Sequence, residues 1–297
     1  MELAYYPGCS LKQTSALFDR QTKEVFSHLG FQLQEIEDWS CCGATSAGKI
    51  DYFLETAMPA RNIGLAEAAG FSEMVIPCSA CYSKTLLAQI RCQQDQKLKE
   101  RINSELKHKI SGSLKISSIL EPLLMVCRSQ EIKEKIQRPL TGIKALCYYG
   151  CMLTRFPMDI DLEDNAENPS FMEIILNSLG ALTKDWSHKT ACCGASSAVY
   201  EPDLASLLMS RIMREAVARD VNCLVTTCPV CQMNLDVYQD RFCQQTGNQK
   251  RLPVYFLTEL LGFALGIDIK TLQIDRHFTQ ATKLLEELEL QQREAQT

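Results

Sequence analysis

The sequence has no block of Lys or Arg and no long apolar run. Its 31 Lys and Arg are outnumbered by 36 Asp and Glu, and the formal net charge of -5 argues against a nucleic-acid partner. No stretch approaches the roughly twenty apolar residues of a membrane span, and Met1 to Ser10 lacks the basic and apolar regions of a signal peptide. We therefore expect a cytoplasmic protein without a transmembrane segment.

Histidine is also scarce, with four in 297 residues. His28, His108 and His277 lie in helical, polar stretches, where surface positions are expected. His188 comes four residues before Cys192 and is the candidate proton donor, although a lone histidine is more often a surface or structural group.

Cysteine, in contrast, is abundant: the chain has 15. Ten of them form two copies of one pattern, which is a lone Cys, then Cys-Cys-Gly, then Cys-x-x-Cys. The cysteines of the two copies are Cys9, Cys41, Cys42, Cys78 and Cys81, and then Cys151, Cys192, Cys193, Cys228 and Cys231. Matching order and spacing at so many positions indicate an internal duplication.

The flanking residues repeat as well. Tyr5-Tyr6-Pro7-Gly8-Cys9 is echoed by Tyr148-Tyr149-Gly150-Cys151, and Asp38-Trp39-Ser40 by Asp185-Trp186-Ser187. The second copy then inserts His188-Lys189-Thr190-Ala191 before its cysteine pair.

Short apolar stretches predict strands that end at or near the cysteines, with helical patterns between them. The predicted strands are 2–6, 31–37, 73–77, 143–149, 181–186, 223–227 and 253–257. The predicted helices are 14–29, 53–69, 85–110, 169–179, 203–219 and 235–243. This alternation predicts an α/β fold of two tandem, pseudo-symmetric domains, each with a short parallel sheet flanked by helices.

We divide the chain after the breaker residues Arg138 to Gly142. The first domain is predicted to span residues 1–142 and the second residues 143–297, including a C-terminal tail with helical leucine spacing. In open parallel sheets, ligands bind beyond the carboxyl ends of the strands, which is where the cysteines are expected.

The cysteine pattern favours a metal site. A reducing compartment keeps thiols free, so disulfides are not expected. Thiolates are soft ligands that suit zinc, copper(I) or iron-sulfur clusters. Structural zinc takes four ligands, whereas each copy offers five thiols from three segments, which favours iron-sulfur over zinc. A cubane cluster also takes four cysteines, so five thiols leave either one spare or an unusual cluster.

The other five cysteines have no partner in the duplication. They lie in apolar or helical contexts and are expected to pack as small hydrophobic residues. They are Cys92, Cys127, Cys147, Cys223 and Cys243.

The two cysteine-rich copies resemble the CCG repeat of the HdrB component of heterodisulfide reductase, over nearly the full chain. The resemblance implies two noncubane 4Fe-4S clusters, one per repeat, each held by the five cysteines of its copy. It also implies an oxidoreductase subunit that reduces or forms a disulfide or thiol substrate between the clusters. Relatives that link succinate or fumarate dehydrogenases to quinone leave an electron-transfer function as the alternative.

Two motifs that would let the chain exchange electrons by itself are absent, which indicates partner subunits. It has neither a Cys-x-x-Cys-x-x-Cys-x-x-x-Cys-Pro ferredoxin run nor a Gly-x-Gly-x-x-Gly dinucleotide fingerprint. The resemblance implies one partner that is a ferredoxin-like iron-sulfur subunit, and another that is a flavin-bearing subunit or a different dehydrogenase module. The apolar run from Leu257 to Ile269 could offer weak attachment to a membrane, making the complex peripheral to it.

Overall fold

The computed structural model describes residues 1–155, 164–247 and 250–294. They form two compact units. The first consists mainly of Met1–Pro122, and the second of Leu123–Thr154 together with the described residues after 163. The predicted division after Gly142 stays a prediction, and residues 123–142 pack with the second unit.

The first unit is built on a four-stranded parallel sheet in the order β2-β1-β3-β4. Its strands are β1 (Glu2–Tyr5), β2 (Gln32–Glu35), β3 (Glu73–Ile76) and β4 (Lys115–Ser118). The helices up to the start of the second unit are α1 (Gly8–Leu11), α2 (Ala16–His28), α3 (Ala47–Ile50), α4 (Tyr52–Ala68), α5 (Ser79–Gln94), α6 (Gln96–Glu105) and α7 (Leu120–Arg128).

The second unit repeats this topology with a parallel sheet in the order β6-β5-β7-β8. Its strands are β5 (Lys144–Tyr148), β6 (Leu182–Thr183), β7 (Cys223–Thr226) and β8 (Val254–Phe256). Its helices are α8 (Glu131–Lys135), α9 (Phe171–Ser178), α10 (Pro202–Ala218), α11 (Pro229–Val237), α12 (Gln239–Thr246), α13 (Leu257–Ala264), α14 (Ile269–Leu272) and α15 (Thr282–Glu294). The predicted α/β fold with two tandem parallel-sheet domains is confirmed.

Strand β4 was not predicted, because its sequence Lys-Ile-Ser-Ser has one apolar residue. Its two serines are nevertheless buried, and each is matched by a carboxylate. Ser117 donates to Glu73 at 2.6 Å and Ser118 to Glu121 at 2.5 Å. Because hydrogen bonds compensate for burying these hydroxyls, the strand needs no apolar pattern.

Two stretches that were each predicted to form one helix are divided between two helices. The stretch 85–110 is divided between α5 and α6 at Asp95, which is extended and accepts a hydrogen bond from the Leu98 N–H at 3.0 Å. This carboxylate cap starts a new helix where periodicity alone indicated one long helix. The stretch 235–243 likewise falls on α11 and α12, which meet at Tyr238.

The apolar run from Leu257 is part of the core. All eight residues of α13 are buried, so this part of the run is not available to a membrane and the predicted attachment there was wrong. The leucine-spaced tail forms α15, as predicted, with Leu285 and Leu288 buried. Gln292 donates to the Pro139 carbonyl at 2.5 Å, so α15 covers a segment of its own chain.

His277 is buried, which contradicts its predicted surface position. Its Nε2 lies 2.8 Å from Glu259, its Nδ1 lies 4.0 Å from Asp236, and the three side chains are at most 3% exposed. Asp236 also accepts the N–H groups of Phe278 and Thr279. Burial acts to lower the pKa of His277, but the two carboxylates outweigh it and the pKa is raised. The charged His277 therefore holds the start of the C-terminal tail against α11 and α13, which carry Asp236 and Glu259.

We expect His277→Gln to lower the free energy of unfolding by about 3–5 kcal/mol, because it leaves buried carboxylates without their cation. A raised histidine pKa stabilises the fold fully below the unfolded value and loses that effect as pH rises through the folded value. Denaturant titrations of both chains should therefore show a difference that is largest below pH 6 and shrinks at alkaline pH. His28→Gln, at an exposed site, is the control. An equal cost at every pH would contradict the assignment.

Candidate metal centres

The ten repeated cysteines follow the carboxyl ends of three strands in each unit. Cys9 comes after β1, the Cys41 pair after β2 and Cys78 after β3. In the second unit the same positions follow β5, β6 and β7. Because the strands are parallel, these three chain segments meet at one edge of each sheet, as the sequence predicts.

The sulfur atoms are brought together in the same pairs in both repeats. Cys9 Sγ lies 3.9 Å from Cys41 Sγ, and Cys42 Sγ lies 3.3 Å from Cys81 Sγ. In the second repeat Cys193 Sγ lies 3.6 Å from Cys231 Sγ, and the Cys151 thiol is hydrogen-bonded to Cys192. In each repeat, one thiol pair joins the lone cysteine to the first cysteine of the Cys-Cys pair. The other joins the second cysteine of that pair to the last cysteine of Cys-x-x-Cys.

A glycine after each cysteine pair makes the turn possible. Gly43 and Gly194 have φ values of +73° and +81°, which glycine adopts without steric cost. The Gly43 N–H donates to Cys41 Sγ at 3.4 Å, and the Gly194 N–H to Cys192 Sγ at 3.4 Å. The turn therefore aims a backbone donor at the first sulfur of each pair.

The Cys-x-x-Cys motif lies at a helix N-terminus in both repeats. Cys78 is the N-cap of α5 and Cys228 is the N-cap of α11. The partial positive charge at this end of a helix stabilises a thiolate. A hydrogen bond from Cys81 and the backbone N–H groups outweigh burial and lower the pKa of Cys78.

Within a hydrogen-bonded pair of thiols, the two pKa values shift in opposite directions. The hydrogen bond between Cys42 and Cys81 lowers the pKa of Cys42 to about 7, and the one between Cys151 and Cys192 lowers the pKa of Cys192 to about 6. The hydrogen-bonded partners show the opposite shift, so the pKa values of Cys81 and Cys151 are raised. The pKa values of Cys78 and Cys193 are lowered as well, so two sulfurs per site are held closer to the thiolate form that binds metals.

Glycines also allow the backbone to approach these sulfurs. A Cβ atom at Gly8 would lie 2.6 Å from Cys81 Sγ, and one at Gly150 would lie 3.0 Å from Cys231 Sγ. Both glycines have positive φ values, of +74° and +70°. Any side chain there would take space next to the last thiol of the repeat.

The donor set fits an iron-sulfur cluster, because five soft thiols, partly ionised, lie at one sheet edge with backbone donors around them. In the described part of the chain, no group of three or more His, Cys, Asp or Glu side chains has the arrangement needed to hold a single metal ion.

The predicted proton donor His188 is paired rather than free. Its Nδ1 contacts Glu215, which also accepts from Ser187 at 2.8 Å and from Arg219 at 2.6 Å. Burial acts to raise the pKa of Glu215, but these partners outweigh it and bring the pKa to about 2. The catalytic assignment of His188 stays a prediction.

The inserted Lys189 is buried, not solvated. Its ammonium lies 2.9 Å from both Glu173 and Asp185, and its carbonyl accepts the N–H groups of Tyr149 and Gly150. The insertion thus holds the chain just before Cys151. The five cysteines outside the repeats are all buried, as predicted, in helices and strands.

Sequence reasoning missed the polar side chains that hold the cysteine pair. Asn62 in α4 and Asn234 in α11 are buried at 0% and 2% exposure and bond to backbone next to the cysteines. Asn62 lies far from the cysteine motifs in the sequence. Asn234 follows Cys231 by three residues, but the first repeat has no asparagine at the matching position, so no repeated motif indicates either residue. Tyr6 and Tyr148 were visible only as part of the repeated flank.

The model of the cysteine-rich CCG domain matches residues 3–84 and 145–236, so the chain belongs to the CCG cysteine-rich domain family and carries the domain twice. It is also homologous to the HdrB component of heterodisulfide reductase. The identity to that component of the ferredoxin:CoB-CoM enzyme of Methanosarcina mazei is 28%, over 96% of each chain. The family and these homologues imply iron-sulfur clusters.

The chain is 35% identical to the 8-methylmenaquinol:fumarate reductase membrane anchor subunit of Wolinella succinogenes, over 95% of this chain and 99% of that one. Among solved structures, a hypothetical protein from Helicobacter pylori shares the fold with a TM-score of 0.75 at 12% identity. The match covers 94% of this chain and 52% of that one. Within the described residues, no helix is long and apolar enough to span a membrane.

The thiol pKa values predict a difference between two exposed cysteines of the reduced, iron-free chain. The pKa of Cys192 is lowered to about 6, whereas burial and the neighbouring Cys41 raise the pKa of Cys9 to about 11. We expect iodoacetamide at pH 7.5 to alkylate Cys192 at least about tenfold faster than Cys9. Peptide mass spectrometry over pH 5–9 measures both rates. A faster reaction at Cys9 would contradict the proposed proton sharing.

Proposed function

We propose that the chain is an iron-sulfur redox subunit of an oxidoreductase complex, with one cluster in each repeat. The observation that carries the proposal is the same convergence of five thiols at the sheet edge of both units. The proposed ligands are Cys9, Cys41, Cys42, Cys78 and Cys81 for the first cluster, and Cys151, Cys192, Cys193, Cys228 and Cys231 for the second.

The clusters are proposed to be noncubane 4Fe-4S clusters, as the resemblance to the HdrB component implies, and the five thiols of each repeat, one more than a cubane takes, agree with this. When bound, such a cluster supplies one-electron transfer. The Gly43 and Gly194 N–H groups and the N-termini of α5 and α11 would support the negative charge of the cluster and its ligands. Gly8 and Gly150 leave room beside the last ligand of each set.

The proposed complex exchanges electrons between a quinone and a dehydrogenase or fumarate-reducing module. This is supported by 35% identity over nearly the whole length of a menaquinol:fumarate reductase subunit. Because the chain lacks a dinucleotide fingerprint and a ferredoxin run, another subunit must deliver or remove the electrons. The complex is proposed to be peripheral to the membrane.

The second candidate is reduction or formation of a disulfide, as the names of the heterodisulfide reductase relatives describe. It is favoured by 28% identity over 96% of the chain to the HdrB component from Methanosarcina mazei. Such a reaction takes two electrons and two protons, so it requires a proton donor, for which His188 is the candidate. The partners would be a ferredoxin-like iron-sulfur subunit with its own clusters and a flavin-bearing subunit.

Metal analysis tests the cluster proposal. Anaerobically purified chain is expected to hold about eight iron and about eight acid-labile sulfide. Cys42→Ala should lose about half of each, because one repeat loses a ligand. Cys92→Ala, at a buried cysteine outside the repeats, is the matched control and should keep both. Two zinc ions per chain without sulfide would overturn the proposal.

Oxidation of the reduced chain in its native complex separates the two candidates. We expect a soluble menaquinone analogue to reoxidise the reduced iron, and a mixed disulfide to leave the iron reduced. The visible absorbance of the clusters reports the reaction. The reverse result would replace the quinone-linked function by disulfide chemistry. The Cys42→Ala complex controls for reactions that bypass the sites.

A further inference from the structure

Tyr6 and Tyr148 occupy the same position in the two repeats, three residues before the lone cysteine. Both are fully buried. The Tyr6 hydroxyl donates to the carbonyl of Ser40 at 2.9 Å, and the Tyr148 hydroxyl donates to the carbonyl of Ala191 at 2.5 Å. Each acceptor immediately precedes a cysteine pair, so the two hydroxyls make the same contact.

This contact is kept although the loops differ. The second repeat has four extra residues between Ser187 and its cysteine pair. A tryptophan packs against the tyrosine in both repeats, with ring centroids 5.5 Å apart for Trp39 and 6.1 Å apart for Trp186. Loop length therefore does not determine the contact, and the tyrosine meets the carbonyl next to the cysteines in either loop.

The hydroxyls lie among the proposed ligands. Burial raises the pKa of Tyr6, and the charges of Cys81 and Cys42 add to the effect. Burial and the charges of Cys231 and Cys193 do the same for the pKa of Tyr148.

The two carbonyls differ in their other donors. The Ser40 carbonyl also accepts from Asn62 Nδ2 at 2.8 Å, and Asn62 Oδ1 accepts the Ser40 N–H at 2.9 Å. Helices α4 and α10 begin at Tyr52 and Pro202, which places Ile212 at the position of Asn62. In the described part of the chain, the Ala191 carbonyl has no second donor.

The second repeat holds its turn from the other side. Asn234 of α11 donates to the carbonyl of Cys193 at 2.8 Å. This contact follows the cysteine pair, whereas the Asn62 contact precedes it. At the Ala191 carbonyl itself, Tyr148 is the single donor in the described part of the chain, whereas Tyr6 shares the Ser40 carbonyl with Asn62.

We propose that Tyr6 and Tyr148 are positioning residues that hold the cysteine-pair turn in register with the other thiols, and that the second site depends more strongly on its tyrosine. The proposal rests on cluster binding as proposed above. Partners one step removed from the metal orient the ligands, and their loss typically costs about 10–100-fold in metal affinity. An unpaired carbonyl next to the ligands would leave the turn free to shift.

Tyr148→Phe and Tyr6→Phe test this in the full, cluster-loaded chain. We expect iron release to a chelator to be about tenfold faster for half of the iron in Tyr148→Phe, and less than about threefold faster in Tyr6→Phe. The electron paramagnetic resonance spectrum and midpoint potential of one cluster should change in Tyr148→Phe. Both variants lose one buried hydrogen bond, so the unfolding midpoint of the iron-free chain should fall in each. The other half of the iron should leave at the rate of the parent, which separates positioning from a general loss of stability.

The first repeat supplies a second test that does not need the Tyr148 variant to fold. Asn62→Ile copies the residue of the second repeat, and Tyr6→Phe on that background should release half of the iron about tenfold faster, more than the two single changes combined. The proposal is overturned if iron release and spectra match the parent in every variant, or if Tyr6→Phe and Tyr148→Phe behave alike. An unmutated chain without iron would instead refute cluster binding itself.

Discussion

The crowding of five sulfurs at the end of each sheet is the constraint that the rest of the structure serves. Neighbouring thiolates repel one another, so their ionisation must be supported by donors or limited by shared protons. The fold does both. Backbone N–H groups of Gly43 and Gly194 and the N-termini of α5 and α11 stabilise negative sulfur. Protons held by Cys81 and Cys151 separate the remaining charges. Parallel strands are what bring these parts to one edge.

Much of this site could be predicted from the sequence, because its parts lie in short motifs. Strand ends, the glycine after the cysteine pair and the duplicated order of cysteines all indicated where the sulfurs meet. The supports could not be predicted in the same way. Asn62 and Asn234 reach the cysteine turn from helices that are distant in sequence, and neither stands in a repeated motif. His277 looked like a surface residue because the carboxylates that bury it come from α11 and α13.

The same difference explains the errors in the fold. The break at Asp95 depends on one side-chain cap. In the sequence, a single capping residue is a weaker signal than the apolar spacing on either side of it. Strand β4 is buried through serines whose carboxylate partners lie elsewhere in the chain. Apolar periodicity predicts elements that are held by the core. Elements that are held by hydrogen bonds from distant residues require the tertiary structure.

The two repeats share the cysteine-pair turn and the tyrosine that contacts it, whereas the asparagine that supports the turn differs between them. The second repeat has Ile212 where the first has Asn62 and contains four more residues before its cysteine pair, and it uses Asn234 after the pair and the Lys189 carbonyl beside Cys151. Among the side chains described above that bond to the backbone of the turn, the tyrosine is the one that makes its contact at the same point in both repeats. Because a buried polar contact next to reactive sulfurs can be replaced only by another that reaches the same atom, the unchanged contact marks the part of the turn that tolerates the least movement.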